Sequence, residues 1–80
     1  MYYVYLLRST LRNWVYVGIT KNVDQRVNEH NEGFVKSTKH YKPYKLIFAQ
    51  MFLNRRDARD LEKFLKISWN KESLLHLLNI

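Results

Sequence analysis

Two phenols, a guanidinium, an imidazole and a carboxylate stand out for what they could do together: Tyr5, Tyr16, Arg26, His30 and Glu62. The phenols sit in Tyr3-Val4-Tyr5 and Tyr16-Val17-Gly18, both with the two-residue period of a strand. Tyr3 and Tyr5 therefore share one face of the first segment, and Tyr16 and Gly18 share one face of the second. Arg26 and His30 lie one helical turn apart and project the same way. A guanidinium presents a donor fork that matches phosphate oxygens and keeps its charge, and an imidazole beside it can position or polarise a hydroxyl. An exposed arginine next to a partly buried histidine is the simpler account of that pair. Glu62, four residues after Ala58 and three before Leu65, falls at the border of a buried stripe, with Arg55, Arg59 and Lys66 on the same flank. A carboxylate there could hold a Mg²⁺ ion, which keeps most of its water and needs one or two carboxylates plus a phosphate. An i,i+4 pair with Lys66, worth roughly 0.2–0.5 kcal/mol, is what spacing alone favours.

The elements that must position these groups follow from local rules. Two strands, about 2 to 8 and 14 to 19, form a hairpin across the polar turn from Ser9 to Asn13. Its other face carries Val4, Leu6, Val15, Val17 and Ile19, suited to a core. Gly18 leaves room on the phenol face for something to approach the backbone. Asn22 can cap a first helix, with Gln25 completing a capping box, running to about Glu32 and stopping at Gly33. Val23 and Val27 give it a narrow apolar stripe, with Phe34 folding back behind it. Residues 35 to 43 form a basic loop ending at Pro43. A third strand spans 44 to 53, mostly apolar and expected to be buried for much of its length. Asn54 caps a second helix with Asp57 in its first turn and a stripe of Ala58, Leu61 and Leu65. Ser68 caps a last short helix in which Leu74, Leu75, Leu77 and Leu78 bury one side. The order β-β-α-β-α-α predicts an α+β fold: one domain over 1–80, a three-stranded antiparallel sheet flanked by helices.

Composition narrows the partner. With 46% hydrophobic residues the chain can form a core without staples, and with no cysteine it can hold neither disulfide nor zinc thiolate. The net charge of +7 points to a polyanion. Lys36, Lys39, His40, Lys42 and Lys45 crowd one segment, and Arg55, Arg56 and Arg59 another; Tyr41 and Tyr44 interleave with the first as stacking surfaces. The candidate nucleic-acid contacts are Lys36, Lys39, His40, Lys42, Arg55 and Arg59; a merely solvated basic loop is the alternative. The N-terminal apolar run is too short for a signal peptide and none approaches a membrane span, so a soluble cytoplasmic protein is expected. The leucine-rich final helix either closes the core or pairs with a second copy in a homodimer.

Taken in order, these motifs resemble the GIY-YIG nuclease superfamily, in particular its small stand-alone members. Tyr3-Val4-Tyr5 stands where that family has its first tripeptide and Tyr16-Val17-Gly18 where it has its second. Gly18-Ile19-Thr20, Arg26 with His30, and Ala58-x-x-x-Glu62 with Lys66 follow in the family's order. Asn31-x-Gly33, Ser37-Thr38 and Pro43 resemble the small branch. The resemblance spans Tyr2 to about Leu78. It implies metal-assisted hydrolysis of a DNA phosphodiester, with Tyr5 or Tyr16 as general base and Arg26 and His30 favouring the phenolate. Arg26 would also bind the scissile phosphate, and Glu62 would hold one Mg²⁺ or Mn²⁺. The implied substrate is DNA chosen by structure rather than sequence, single-stranded or branched, in repair or processing. Two departures stand out. Tyr3 replaces the family's leading glycine and narrows the site, and Asn70 is only the nearest match to an asparagine expected after Glu62. The alternative is an inactive nucleic-acid-binding module on the same fold; a subunit docking its basic face on an acidic protein is a third.

Overall fold

The hairpin expected from the alternating segments is present in the computed structural model, which describes residues 1–79. Strands β1 (Tyr2–Ser9) and β2 (Val15–Thr20) pair antiparallel, with Tyr5 opposite Gly18 and Leu7 opposite Tyr16. The turn is organised by Ser9, whose hydroxyl accepts from the backbone N–H groups of Leu11 and Arg12 and donates to the Tyr41 carbonyl at 2.6 Å. Strand β3 (Tyr44–Phe52) pairs antiparallel on the other side of β1, giving the order β2-β1-β3. The central strand is buried on both faces: Val4, Tyr5, Leu6 and Leu7 are each at most 1% exposed.

Each face carries its own core. On one, Val4, Leu6, Val15 and Val17 pack against Ala58 and Leu65 of helix α2 (Arg55–Leu65), with Leu74 and Leu75 of helix α3 (Ser68–Leu77) closing over them. On the other, Tyr5, Leu7 and Tyr44 pack with Trp14, Tyr16, Tyr41 and with Val27 of helix α1 (Val23–Asn31). The aliphatic and aromatic faces sorted by the two-residue period thus receive different helices.

Helix boundaries follow the expected chemistry at three ends. Asn22 accepts from the Gln25 N–H at 3.1 Å and Asn54 from the Asp57 N–H at 2.9 Å. The capping box is only half made, because the Gln25 side chain turns toward Glu29 while Thr20 satisfies the Asn22 N–H. Helix α1 ends at Gly33, whose φ of +82° suits glycine, with the Gly33 and Phe34 N–H groups bonded back to the His30 and Glu29 carbonyls.

Four expectations are corrected. The third strand is an edge strand, not a buried one: Leu46 and Met51 are 39% and 46% exposed, and Leu53 lies beyond its end. Its apolar residues have a partner strand on one side only; Ile47, Phe48 and Phe52 reach the aliphatic core and Tyr44 the aromatic one. Phe34 is exposed, since closing α1 uses its N–H and leaves the ring outside. Ser68 does not cap α3; it is the first helical residue, after Ile67, which makes no side-chain cap. Leu77 and Leu78 are both exposed, at 81% and 37%, and of the four leucines only Leu74 and Leu75 reach the core.

Candidate active site

Tyr5 rises from the central strand and its ring lies across Gly18 of β2. A β-carbon at Gly18 would stand 2.5 Å from the Tyr5 ring tip and hydroxyl and 2.8 Å from the Tyr16 ring. The space expected there for a ligand is filled by the chain's own phenols, which corrects the sequence reading. The Tyr5 hydroxyl is 2.9 Å from His30 Nε2, and His30 Nδ1 is 2.7 Å from Thr38 Oγ1. His30 and Thr38 have no exposed surface. The Tyr16 ring packs over the imidazole at 4.9 Å between centroids, and the Tyr44 hydroxyl donates to the Thr38 carbonyl at 2.8 Å. Tyr16 is half-buried, and among the described residues its hydroxyl has no hydrogen-bond partner.

Burial sets the electrostatics. It pushes His30 down to about 4, helped by the Arg26 charge and opposed by Glu29, so the imidazole is neutral at pH 7. Burial also pushes the Tyr5 phenol up to about 12; Arg26 pulls it down, while Tyr16 and Glu62 push it further up. The expectation that Arg26 and His30 together favour the phenolate therefore needs correction. Arg26 does so, but desolvation outweighs it, and a neutral His30 contributes no charge. Arg26 is itself half-exposed and holds Glu29 at 3.1 Å.

Glu62 rides on α2, the helix of the aliphatic face, yet its charge is felt at the Tyr5 phenol. Its side chain is only 12% exposed and pairs with Lys66 at 3.3 Å, the i,i+4 contact that spacing favoured. Lys66 is more than half exposed and can swing into solvent, which would leave the sheltered Glu62 carboxylate in need of another cation. Among the described residues no three His, Asp or Glu side chains converge as a ready-made metal cage. A single sheltered carboxylate fits a hard divalent cation that keeps its waters and takes further oxygens from a phosphate.

The other candidates are spread over the surface. Lys36, Lys39, His40, Lys42, Arg55 and Arg59 are all exposed. Tyr41 and Tyr44 are not stacking surfaces, a further correction: Tyr44 is buried at 5% exposure and Tyr41 packs on Trp14 at 4.7 Å. Arg55 lines a hollow of about 190 Å³ with Tyr2 and Lys21, and beside it Lys21 and Arg26 line a cleft of about 320 Å³. Lys21 was missed by the sequence reading, although its place just after Gly18-Ile19-Thr20 puts it in the turn that carries the site into α1. Tyr3 lines a neighbouring hollow with Lys21 and Asn22. The Asn70 side chain is spent on the Phe64 carbonyl at 2.9 Å, closing the end of α2. Thr38, part of the Ser37-Thr38 motif, has neither charge nor periodicity and so carries no chemical signal in the sequence.

Comparison with known proteins agrees with this arrangement. The family model for the GIY-YIG catalytic domain matches residues 1–74. The UPF0213 protein CPE1444 of Clostridium perfringens is 36% identical over 67 residues, covering 82% of this chain and 71% of that protein. The UPF0213 protein YazA of Bacillus subtilis is 32% identical over 77 residues, covering 95% and 77%. The solution NMR structure of the UPF0213 protein BH0048 from Bacillus halodurans superposes with a TM-score of 0.60 at 31% identity, over 96% of this chain and 85% of that one. A sheet ordered β2-β1-β3 with α1 on its phenol face, and family matches running almost from end to end, have one reading: the chain belongs to the GIY-YIG family, among its small UPF0213 members.

Proposed function

We propose that this protein is a metal-dependent DNA endonuclease that selects its substrate by structure rather than by base sequence. The observation that carries the reading is the buried Tyr5–His30 pair set beside Arg26 and within range of the Glu62 charge. Binding starts at the Lys21–Arg26 cleft, where two cations attract the backbone and the Arg26 fork grips the scissile phosphate. Arg55 and Arg59, with Lys36, Lys39, His40 and Lys42, extend the contact along the strand. A domain of this size offers little surface for reading bases, so selection falls to the shape of the DNA.

Tyr5 takes a proton from the attacking water while its own passes to His30 Nε2, which is neutral and able to accept it. Arg26 offsets the negative charge that builds on the phosphoryl oxygens. Glu62 would hold one Mg²⁺ or Mn²⁺ once Lys66 swings aside. Such an ion supplies Lewis-acid stabilisation of the departing 3′ oxygen. The free protein is not primed for this step. Burial disfavours both the Tyr5 phenolate and the His30 imidazolium, so the phenol loses its proton only as substrate and cation complete the site.

The half-exposed Tyr16, with its unpartnered hydroxyl, favours a second reading in which Tyr16 meets the water and Tyr5 only anchors His30. Comparing Tyr5→Phe with Tyr16→Phe decides between them, since the base is the variant that loses cleavage while retaining DNA binding. A binding module without catalysis would keep the charged surface and need none of the buried pair. Purified protein is incubated with single-stranded, duplex and branched DNA, with Mg²⁺ or Mn²⁺, alongside Glu62→Ala. Nicking by the wild type and none by a folded Glu62→Ala is the expected result. Salt-dependent binding with no cutting on any substrate would replace the nuclease with the binding module.

A further inference from the structure

We infer that Thr38 is a positioning residue for the reaction: its hydroxyl fixes the tautomer of His30, and thereby keeps Nε2 free to receive the Tyr5 proton. The inference rests on the reading of Tyr5 as the base and adds to it a residue outside the family's tripeptides.

The argument is an account of buried donors and acceptors. Thr38 Oγ1 has two neighbours, His30 Nδ1 at 2.7 Å and the Val35 carbonyl at 3.3 Å. A carbonyl can only accept; although the Val35 carbonyl already takes the Thr38 and Lys39 N–H groups, a threonine proton directed at it turns the oxygen's lone pair toward Nδ1. Nδ1 then carries the imidazole proton and Nε2 is left with a lone pair, aimed at the Tyr5 hydroxyl 2.9 Å away. A single directed chain runs Tyr5 O–H to Nε2, Nδ1–H to Thr38, Thr38 O–H to Val35. Among the described residues no buried side-chain nitrogen or oxygen is left without a partner, and both ring nitrogens are engaged in this arrangement.

Thr38 is well held for such a task. It has no exposed surface, its carbonyl accepts from the Tyr44 hydroxyl at 2.8 Å, and its N–H bonds to Val35 at 3.1 Å. It also opens the short 3-10 turn Lys39–Tyr41, so the basic loop and the imidazole are anchored at one residue. In the reaction a water O–H bond breaks and its proton joins the Tyr5 oxygen. The Tyr5 proton moves to Nε2, the imidazolium keeps Nδ1–H on Thr38, and the hydroxide attacks phosphorus as the 3′ oxygen leaves with its electron pair. The arrangement follows the logic of a third group that orients a base in a catalytic triad.

The test is Thr38→Val, which has nearly the same shape and no acceptor, with Thr38→Ser as the conservative control. Nitrogen-15 shifts of the His30 ring at pH 7 report the tautomer without any need for cleavage. The expectation is Nδ1–H in the wild type and in Thr38→Ser, and a switch to Nε2–H in Thr38→Val. On DNA, Thr38→Val should lower kcat by about 100-fold, the low end for a proton-transfer group, with KM little changed, and Thr38→Ser should restore most of it. Nε2–H in the wild type, or an unchanged tautomer in a folded Thr38→Val, overturns the inference even if the protein proves to be a good nuclease. An inactive wild type with the expected tautomers would sink the nuclease reading and leave the hydrogen-bond assignment standing.

Discussion

His30 should make this protein acid-labile by a calculable amount. The fold holds the imidazole near 4, through burial and the Arg26 charge, against 6.5 for a free histidine. Because the folded value is depressed, the stabilisation is fully present above pH 6.5. It is lost as pH falls from there toward 4, where the unfolded chain takes up a proton and the fold does not. Between pH 7.5 and pH 4.5 the gap is worth about 2.5 kcal/mol at 1.36 kcal/mol per unit. An 80-residue domain has roughly 4–12 kcal/mol in all, so this is a large share. Urea unfolding followed by circular dichroism measures it at the two pH values, with His30→Gln as the reference. The variant shares every carboxylate of the wild type, so acid effects from those groups cancel in the comparison. The wild type should lose about 2.5 kcal/mol more than the variant over that interval. Equal losses would refute the reasoning, as would an imidazole that titrates above pH 6 by NMR.

Gly18→Ala puts a β-carbon where the Tyr5 hydroxyl and the Tyr16 ring already are; in this packed sheet it should cost about 1–3 kcal/mol by thermal melt, and a melt unchanged from the wild type would show that the phenol is not seated there. Tyr5→Phe leaves the buried His30 Nε2 without its hydrogen-bond partner, for a loss of roughly 1–3 kcal/mol. Tyr16→Phe removes a hydroxyl with no protein partner and should fall within about 0.5 kcal/mol of the wild type. Chemical denaturation of the two variants side by side reads the difference, and matching costs would contradict the geometry.

What could be read in advance was what local rules govern. The two-residue alternation sorted phenols from aliphatics, and Asn22, Asn54 and Gly33 marked helix ends through preferences of the residue itself. The edge position of β3 was hidden, because the sequence of Leu46 to Met51, apolar except for Gln50, reads the same whether one neighbouring strand covers it or two. Only the decision of β1 to take the centre settles that, and it is made by the whole sheet. Spacing put Arg26 and His30 on one side of α1, but it could not say that His30 would be fully enclosed and hence neutral. The same enclosure turned Tyr44 from a stacking surface into an anchor for Thr38. Residue type announced the charged members of the site; the neutral threonine between the basic loop and the imidazole became visible only through its distances.

The central claim is that the Glu62 carboxylate, carried by a helix on the aliphatic face, shares a site with the phenols of the opposite face. Titrating Mn²⁺ into the isotope-labelled protein and following paramagnetic broadening tests that directly. Signals of Tyr5, Gly18 and Arg26 should broaden together with Glu62, and Glu62→Gln should remove the effect. Broadening confined to exposed carboxylates such as Asp57 and Asp60, with Tyr5 left sharp, would contradict the account.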